Sequence, residues 1–197
     1  MDWNARYQEP GYAYGTAPND FLREMADRIP AGPVLCLAEG EGRNAVHLAE
    51  RGHVVTAVDL SEAGLAKAAA LALERGVGLH TVHADLADFV IEEGVWAGIV
   101  SIFAHLPPAV RARLHAAVVR GLRPGGVFLL EAYTPAQLAL ATGGPADPTL
   151  LMTAASLQTE LAGLELEICR EVEREVVEGR LHRGRAAVVQ VLGRRPA

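Results

Sequence analysis

The chain has 197 residues, of which 50% are hydrophobic and 21% are charged, with a formal net charge of −6 at pH 7. This composition is typical of a folded globular domain and excludes a largely disordered chain. The negative charge, without a basic stripe, argues against a nucleic-acid partner. No apolar run reaches the ~18 residues that a membrane span needs. The first residues lack the apolar core of a signal peptide, so we expect a cytoplasmic protein with no membrane partner.

The chain begins with an aromatic-rich segment. Residues 1–21 hold five of the ten aromatic residues, and glycines and prolines interrupt them, so a long helix is not expected there. Asn19 or Asp20 is expected to cap a helix that runs to about Ile29. We expect a single domain over residues 1–197, in which residues 1–30 form an arm and helix over a sheet core at 31–197. The arm either closes over a ligand as a lid or only covers one edge of the core.

Strands and helices alternate from residue 34 onward. Strands are expected at 34–38, 53–58, 79–84, 96–103 and 127–133, with helices at 43–51, 62–75 and 107–122. The strand segments are almost continuously apolar, which is typical of parallel strands covered by helices on both faces. Residues 121–126 are expected to form a tight turn into the fifth strand.

The last third of the chain predicts a different arrangement. A loop is expected at 141–148, a helix at about 149–162, and two long strands at 164–177 and 181–193 around Glu178-Gly179-Arg180, which is typical of an antiparallel hairpin. The fold class is therefore α/β: a doubly wound, mostly parallel seven-stranded sheet with helices on both faces and a C-terminal antiparallel hairpin.

Metal-binding patterns are not evident in the sequence. Cys36 and Cys169 lie far apart in apolar strand patterns and are expected to be free, buried thiols. His80 and His83 are three residues apart in a predicted strand, so they project to opposite faces and cannot share a metal. We expect no metal site.

The most informative local pattern joins a glycine-rich turn to an acid. Residues 34–44 indicate a buried strand, a turn and a helix start, and the next strand ends at Asp59. A small-residue turn lets the backbone approach a ligand, and an acid about twenty residues later can accept hydrogen bonds from two ribose hydroxyls. Asp85 and Ser101 follow or end the next two strands, so four strand tips converge on one crevice. This convergence predicts an adenosine-type ligand.

The turn itself discriminates between adenosine ligands. A dinucleotide fingerprint would place small residues at Ala38, Gly40 and Arg43, and arginine is too large there, which disfavours a nicotinamide oxidoreductase. The chain also lacks the G-K-[ST] of a Walker-type phosphate loop. Glu39 and Glu41 would repel a pyrophosphate but tolerate a cationic ligand. S-adenosylmethionine is such a ligand, because it carries a sulfonium and an ammonium group and no phosphate.

Several segments together resemble a known family. They are Tyr12–Asn19, Leu37–Asn44, Val58–Ser61, Ala84–Leu86, Leu122–Gly126 and the terminal hairpin. On these residues the chain resembles the class I S-adenosylmethionine-dependent methyltransferases over nearly its whole length. Within that superfamily it is similar to the small tellurite-resistance-type and thiopurine-type enzymes.

The resemblance implies roles for the residues around the adenosine part of the cofactor. Asp59 would accept from the ribose hydroxyls, and Leu60 would pack on the adenine ring. Asp85 would accept from the adenine amino group, and the Leu86 amide would donate to a ring nitrogen.

The resemblance also implies the contacts of the methionine part. Ala38, Gly40 and Gly42 belong to the turn whose backbone meets it, the Ser101 backbone receives the ammonium, and Tyr14 closes over the cofactor. Glu39 either reaches the ammonium or is a solvated loop glutamate, and Asn44 either caps the following helix or touches the carboxylate. The chain departs from the family where Cys36 replaces an acid, Ala38 replaces a glycine and Glu39 replaces a small residue or cysteine.

Methyl transfer needs few catalytic groups, because the acceptor, the methyl carbon and the sulfonium only have to be held in line. His105 is the candidate base near the crevice, or it is only a turn residue before two prolines. Candidate pocket walls are Tyr7, Tyr12, Tyr133 and Thr142, and the loop 142–145 is a candidate substrate lid. We expect a small-molecule methyltransferase, monomeric or homodimeric, acting on a thiol or a selenium or tellurium compound. The alternatives are an O- or N-methyltransferase of a small metabolite, a non-catalytic sensor of S-adenosylmethionine and, least favoured, a nicotinamide oxidoreductase.

Overall fold

The fold is built on one seven-stranded sheet. A computed structural model describes residues 2–197. The strands are β1 (Pro33–Leu37), β2 (Val54–Asp59), β3 (His80–His83), β4 (Trp96–Ile102), β5 (Leu122–Tyr133), β6 (Glu165–Glu178) and β7 (His182–Arg194). Their order is β3-β2-β1-β4-β5-β7-β6. Strands β1 to β5 are parallel to one another, and β7 lies antiparallel between β5 and β6, which confirms the predicted fold class.

In the described part of the chain, six α-helices surround this sheet. They are α1 (Trp3–Gln8), α2 (Asp20–Met25), α3 (Arg43–Glu50), α4 (Glu62–Glu74), α5 (Pro108–Gly121) and α6 (Ala154–Glu160), with short 3₁₀ turns at Ala26–Arg28, Pro135–Ala139 and Pro148–Leu150. None of the helices within residues 2–197 combines the length and apolar character needed to cross a membrane.

The sheet separates two apolar layers. Successive residues of β1 alternate between them: Leu35 and Leu37 pack with one cluster, and Val34 and Cys36 with the other. This is the period-two alternation of a strand whose two faces are both covered. Both layers therefore hold the parallel strands in place, and the strands' carboxyl ends all open toward one edge.

Three element boundaries differ from the predictions. Strand β5 begins at Leu122, because residues 122–126 continue the pairing with β4 across an irregularity between Trp96 and Gly98 and do not form a separate turn. The helix predicted at 149–162 begins only at Ala154, because Thr153 and Ser156 form a reciprocal capping box. The helix predicted to reach Ile29 continues past Met25 only as the 3₁₀ turn.

The N-terminal arm contains a short helix that the sequence pattern did not predict. Asp2 caps α1 by accepting a hydrogen bond from the Ala5 N–H. Asn19 caps α2 by accepting from the Leu22 N–H, as predicted. Both cysteines are free; Cys36 is buried and Cys169 is half-buried.

Ala13 attaches the arm to two distant elements. Its N–H donates to the Glu41 carboxylate at 2.7 Å. Its carbonyl accepts from the backbone N–H groups of Arg180 and Leu181, at 3.0 and 3.3 Å, in the turn between β6 and β7. Lys67 of α4 adds bonds to the arm carbonyls of Glu9 and Gly11. The arm is therefore held against both the β1–α3 loop and the C-terminal hairpin.

Candidate cofactor and acceptor site

A cavity of about 540 Å³ lies at the carboxyl ends of the parallel strands. This is the edge at which open α/β sheets bind ligands. Its walls come from the arm, the tips of β1, β2 and β4, the segment after β3, the loop after β5 and the hairpin turn. Of the predicted cofactor residues, Tyr14, Ala38, Glu39, Asn44, Asp59, Leu60, Asp85 and Leu86 line it, and so does the candidate base His105.

Asp59 is positioned by the backbone on both sides of it. Its Oδ2 accepts from the Gly40 N–H at 2.7 Å, and its Oδ1 accepts from the Ser61 N–H at 2.8 Å. Burial raises the pKa of this carboxyl above its usual value, and the hydrogen bonds from Ser61 and Gly40 oppose that shift. Each oxygen retains a lone pair for a ligand hydroxyl. The next residue, Leu60, lines the cavity although 52% of it is exposed, so it offers an open apolar surface beside the carboxylate.

Asp85 and Leu86 present a complementary pair of polar groups after β3. Asp85 Oδ1 accepts from the Ala87 N–H at 2.8 Å. Within residues 2–197, the Leu86 N–H donates to no carbonyl or side chain, and Asp85 Oδ2 accepts from none. An acceptor beside a donor on the cavity wall matches the amino group and adjacent ring nitrogen of adenine.

Glu39 caps the helix that begins the site. Its Oε1 accepts from the backbone N–H groups of Asn44 and Ala45, at 2.9 and 2.8 Å. Gly42, which stands at the cap position, has no side chain to do this. Burial raises the pKa of Glu39 to about 7, even though both backbone hydrogen bonds and nearby Arg43 favour the carboxylate. Glu39 is buried, so the alternative of a solvated loop residue is wrong.

Asn44 connects two helices and does not cap its own. Its Oδ1 accepts from the Asn19 N–H at 2.9 Å, so the capping alternative for Asn44 is wrong. The physical reason is that Glu39 already occupies the amides at the start of α3.

Gly40, Gly42 and Ser101 do not line the cavity, although they were predicted to contact the cofactor. The Tyr7 ring lies over Gly40, and the Ala68 side chain lies against Gly42, so the missing side chain of each glycine makes room for another side chain of the protein. Ser101 is buried in β4 between Leu37 and Leu130, and the cavity begins one residue later, at Ile102.

Ala38 has a φ of +50°, the left-handed region that favours glycine. This conformation agrees with the glycine that the resemblance implies at the position where this chain has Ala38. Phe103, at the end of β4, has a φ of +54° and also lines the cavity. Two non-glycine residues with strained, left-handed backbone conformations therefore border the same site.

The other end of the cavity is a chamber of aromatic rings formed by Phe103, His105, Tyr133, Tyr14 and His182, which we call the aromatic chamber. The ring centroids of Phe103 and Tyr133 are 4.6 Å apart, and the ring centroids of Tyr14 and His182 are 4.4 Å apart. Gly143, Gly144 and Pro145 of the predicted lid loop add a wall, and Tyr7 lines the cavity as well. The other two candidate walls do not: Tyr12 bonds to Lys67, and Thr142 bonds to Arg185.

His105 is held on both sides of its ring. Nδ1 lies 3.1 Å from the Leu150 carbonyl, and Nε2 lies 3.5 Å from the Tyr133 N–H. Because a carbonyl only accepts, Nδ1 carries the proton. Burial lowers the pKa of His105 to about 4, so the ring is neutral at pH 7 and a weak proton acceptor.

Several cavity residues were not predicted as site residues, and two of them are charged or titratable groups close to the candidate acceptor end or the start of α3. Arg43 begins α3, and His182 begins β7 in the C-terminal hairpin. His182 lies at the far end of the sequence in a segment without a motif, and only the topology brings it to the site. Arg43 stood out in the sequence, but as an argument against a dinucleotide and not as a ligand contact.

Residues 34–126 match the family model described as "Methyltransferase domain". A relative named 2-heptyl-1-hydroxyquinolin-4(1H)-one methyltransferase, from Mycobacteroides abscessus, is 27% identical over 139 residues. That match covers 69% of this chain and 61% of the relative, so it spans less than two thirds of the relative's length.

Solved structures with this fold cover almost the whole chain. One, from work on the conversion of a disulfide bond into a thioacetal group during echinomycin biosynthesis, has a TM-score of 0.81 at 22% identity and covers 98% of this chain and 90% of its own. TehB from Haemophilus influenzae has a TM-score of 0.73 at 20% identity and covers 98% of this chain and 65% of its own. The chain is therefore similar to the class I S-adenosylmethionine-dependent methyltransferases: the family model matches residues 34–126, and the fold is shared over almost the whole chain.

S-adenosylmethionine is the cofactor of the methyltransferases to which this chain is similar, and the residues that line the cavity fit it. The walls include the carboxyl groups of Glu39, Glu41, Asp59 and Asp85, against the cations of Arg6 and Arg43. An acidic lining favours a ligand with sulfonium and ammonium charges and disfavours a pyrophosphate. Asp59 and Asp85 would hold the ribose and adenine, and the loop from Ala38 to Asn44 would face the amino-acid end.

Proposed function

We propose that this chain transfers the methyl group of S-adenosylmethionine to a small molecule bound in the aromatic chamber. The observation that carries this proposal is the continuity of the cavity from Asp59 to Tyr133. One end has the polar groups for an adenosine, the other is largely apolar, and the two form a single enclosure. Such a layout suits an adenosine-bearing cofactor and a second molecule placed next to each other.

When bound, the cofactor supplies a methyl carbon that is already activated by the adjacent sulfonium. The protein then has to orient the acceptor and keep water away. Phe103, Tyr133 and His182 surround the acceptor end with ring faces and edges, which fix a flat molecule without charged contacts. Residues 2–30 complete the enclosure as a roof over the sheet core at 31–197, within one domain.

The state of His105 favours an acceptor that ionises by itself. A neutral histidine whose pKa is about 4 withdraws a proton poorly from an alcohol or an amine at pH 7. A thiol, a selenol, a reduced tellurium compound or an acidic hydroxyl on a heterocycle reaches its anion without such help. The first candidate acceptor is a thiol or a heavier chalcogen compound, which the resemblance of the chain to tellurite-resistance-type and thiopurine-type enzymes also favours.

A second acceptor class is supported by a separate observation. Aromatic rings line the aromatic chamber, and the Mycobacteroides abscessus relative is named for a hydroxyquinolone. An O- or N-methyltransferase of a flat heterocycle is the second candidate. In both candidate functions the acceptor is acidic enough to ionise without a strong base.

Calorimetric titration of the purified protein with S-adenosylmethionine, S-adenosylhomocysteine and NADH tests the cofactor. We expect binding of the first two only. Product formation with benzenethiol, selenite, tellurite and 1-hydroxyquinolin-4-one tests the acceptor, with S-adenosylhomocysteine release as the common readout. Cofactor binding without turnover of any acceptor would favour the non-catalytic sensor, and binding of NADH alone would refute the proposal.

A further inference from the structure

Two polar atoms of the aromatic chamber lack a partner in the protein. The Tyr133 hydroxyl makes no hydrogen bond within residues 2–197, yet it keeps accessible surface although only 2% of the residue is exposed. The same holds for Nε2 of His182, a residue that is 9% exposed. Both residues line the cavity, so these atoms are polar groups that a ligand in the chamber can reach.

The two atoms converge on one place in the chamber, beside Gly143. The Tyr133 hydroxyl lies 3.4 Å, and Cδ2 of His182 lies 3.9 Å, from the point that a β-carbon on Gly143 would occupy. Cδ2 is bonded to Nε2, so the polar edge of the imidazole borders the same point. The two ring centroids are 5.7 Å apart, and the planes are nearly perpendicular, at 82°. A flat group next to Gly143 can therefore contact both atoms at once.

The surroundings of His182 make its Nε2 a hydrogen-bond acceptor. Its Nδ1 is buried and faces Glu178 Oε2 at 4.0 Å. Burial raises the pKa of Glu178, but His182, Arg43 and Arg174 together hold it below its usual range, so this group is a carboxylate at pH 7. A carboxylate favours the proton on the nitrogen that faces it, here Nδ1. Burial lowers the pKa of His182, so the ring is neutral and Nε2 carries a free lone pair.

The Tyr133 hydroxyl has the opposite character. Burial raises the pKa of Tyr133, with the charge of Glu178 adding to the shift, so the phenol keeps its proton and can donate it. The chamber thus presents one donor beside one acceptor. A ligand that matched neither would leave two desolvated polar atoms unpaired, which is unfavourable. A site of this kind discriminates strongly against an analogue that lacks the matching N–H or O–H.

We propose that Tyr133 and His182 together select a methyl acceptor that carries an amide-type edge. The Tyr133 hydroxyl donates to the carbonyl-like atom of this edge, and His182 Nε2 accepts from the adjacent N–H. This rests on the proposed function, because the ligand has to be the small molecule in the aromatic chamber. It adds the specificity: among flat acceptors, those with a donor next to an acceptor bind best.

The test uses two ligands that differ only at the predicted donor. 2-Pyridone has an N–H beside its carbonyl, and 2-pyrone has a ring oxygen in place of the N–H. NMR titration measures the affinity of each for protein saturated with S-adenosylhomocysteine. We expect the wild type to bind 2-pyridone at least about fivefold more tightly than 2-pyrone, because the oxygen leaves Nε2 unpaired.

Two variants separate the two hydrogen bonds. H182N places an amide N–H where Nδ1 lies and removes Nε2; Y133F removes only the hydroxyl. We expect the preference for 2-pyridone to fall below about twofold in H182N, and Y133F to keep the preference but weaken both ligands about threefold or more. Matched controls are Y12F, whose hydroxyl bonds to the Lys67 carbonyl, and H47N in α3, because neither residue lines the cavity. Both controls should keep the wild-type affinities.

Affinity for S-adenosylhomocysteine shows whether a variant only disturbs the cavity. It should change less than about twofold in H182N and Y133F, since the two atoms lie at the acceptor end. If H182N does not fold, H182F, which keeps a ring without nitrogen, takes its place.

Three results overturn the proposal. A preference that persists in H182N would assign the N–H to another acceptor, such as the Leu181 carbonyl, 3.6 Å from the same point beside Gly143. Unchanged affinities in Y133F, or an equal loss of S-adenosylhomocysteine, would show that the hydroxyl does not bind the ligand. A wild type that binds the nucleoside but has no preference for 2-pyridone, or does not bind it, would also overturn it.

Failure of the proposed function gives a different result. A wild-type protein that does not bind S-adenosylhomocysteine would refute that function. The two ring ligands, titrated without the nucleoside, would then decide the role of the pair: a preference for 2-pyridone that H182N abolishes supports it, and any other outcome overturns it.

Discussion

The Tyr7 hydroxyl lies 2.6 Å from the point that a β-carbon on Gly40 would occupy. The same ring lies 2.9 Å from the corresponding point on Gly64, in the first turn of α4. Two glycines thus form a shallow seat for one aromatic side chain of the arm. The arm is therefore packed directly on the turn that precedes α3, next to the cofactor end of the cavity.

Gly40→Ala tests this seat. The new methyl group meets the Tyr7 ring, and the φ of +63° at Gly40 adds backbone strain. Gly76→Ala is the matched control, because its φ is +69° and nothing lies within 4 Å of the added carbon. We expect Gly40→Ala to lower the free energy of unfolding by about 1 to 3 kcal/mol more than Gly76→Ala, as overpacking does. Urea unfolding measures this difference. Equal losses of stability in the two variants would show that a methyl group at Gly40 does not clash with the Tyr7 ring.

Asp59→Asn tests the ribose contact. The amide keeps one oxygen for a backbone N–H but loses the charge and an acceptor, so S-adenosylhomocysteine affinity should fall at least tenfold. Asp88→Asn, an exposed substitution after β3, should leave it unchanged. Calorimetry at pH 7.5 measures both, and unaltered affinity of Asp59→Asn would contradict the assigned role.

Glu39 should make stability depend on pH. Its pKa is about 7 in the fold and near 4.5 when unfolded, so the folded chain binds more protons between these values. The contribution of Glu39 to stability is thus largest below pH 4.5 and falls as the pH rises to 7. Glu39→Gln lacks this dependence, so its free energy of unfolding relative to wild type should rise by up to about 3 kcal/mol from pH 5 to pH 8. Urea unfolding at both values measures the change, and the exposed Glu92→Gln should show none.

For His105 we expect the opposite pH dependence: its contribution to the free energy of unfolding should grow as the pH rises. Its pKa is about 4 in the fold and 6.5 as the ordinary value, so the unfolded chain binds more protons between them. The stability that the neutral ring allows is complete above pH 6.5 and is lost as the pH falls toward 4. His105→Gln should therefore lose less stability than wild type between pH 7 and pH 4.5, by up to about 3 kcal/mol. Parallel unfolding curves for the two proteins would contradict the lowered pKa.

Ala38→Gly should be stabilising. A non-glycine residue at a φ of +50° carries a strain of about 1 kcal/mol that glycine avoids. Glycine also loses more freedom on folding, so the net gain should be under 1 kcal/mol. Ala57→Gly, in the buried interior of β2, is the control and should destabilise. Thermal unfolding of the pair gives both signs, and a destabilised Ala38→Gly would show that the turn tolerates alanine without strain.

The parts of the site that a local pattern encodes were predictable. The apolar strands and the acids after β2 and β3 form within a few residues, so Asp59 and Asp85 were correctly expected on the cavity wall. The parallel topology then follows from the alternation of strands and helices. Even the ends of most elements lie within one or two residues of their predicted positions.

The remaining parts depend on contacts between distant segments. Neither alternative for Glu39, the ammonium contact or the solvated loop residue, includes its capping role, because the capping bonds exist only after the turn has folded back onto α3. The pairing of Arg43 with Glu178 and the position of His182 depend on where the hairpin falls on the sheet. Tyr7 occupies the space over Gly40, which sequence reasoning assigned to a ligand. In each case the residue itself stood out in the sequence, but the distant residue that it contacts in the fold could not be identified from the sequence.

The hydrogen bonds of Ala13 to Arg180 and Leu181 join positions more than 160 residues apart in the chain. During synthesis the arm leaves the ribosome before the hairpin, so the enclosure closes only after the hairpin has been made. The parallel strands can assemble earlier, from pairings that are closer in sequence. A nascent chain stopped before residue 180 would thus carry most of the sheet without a complete binding chamber.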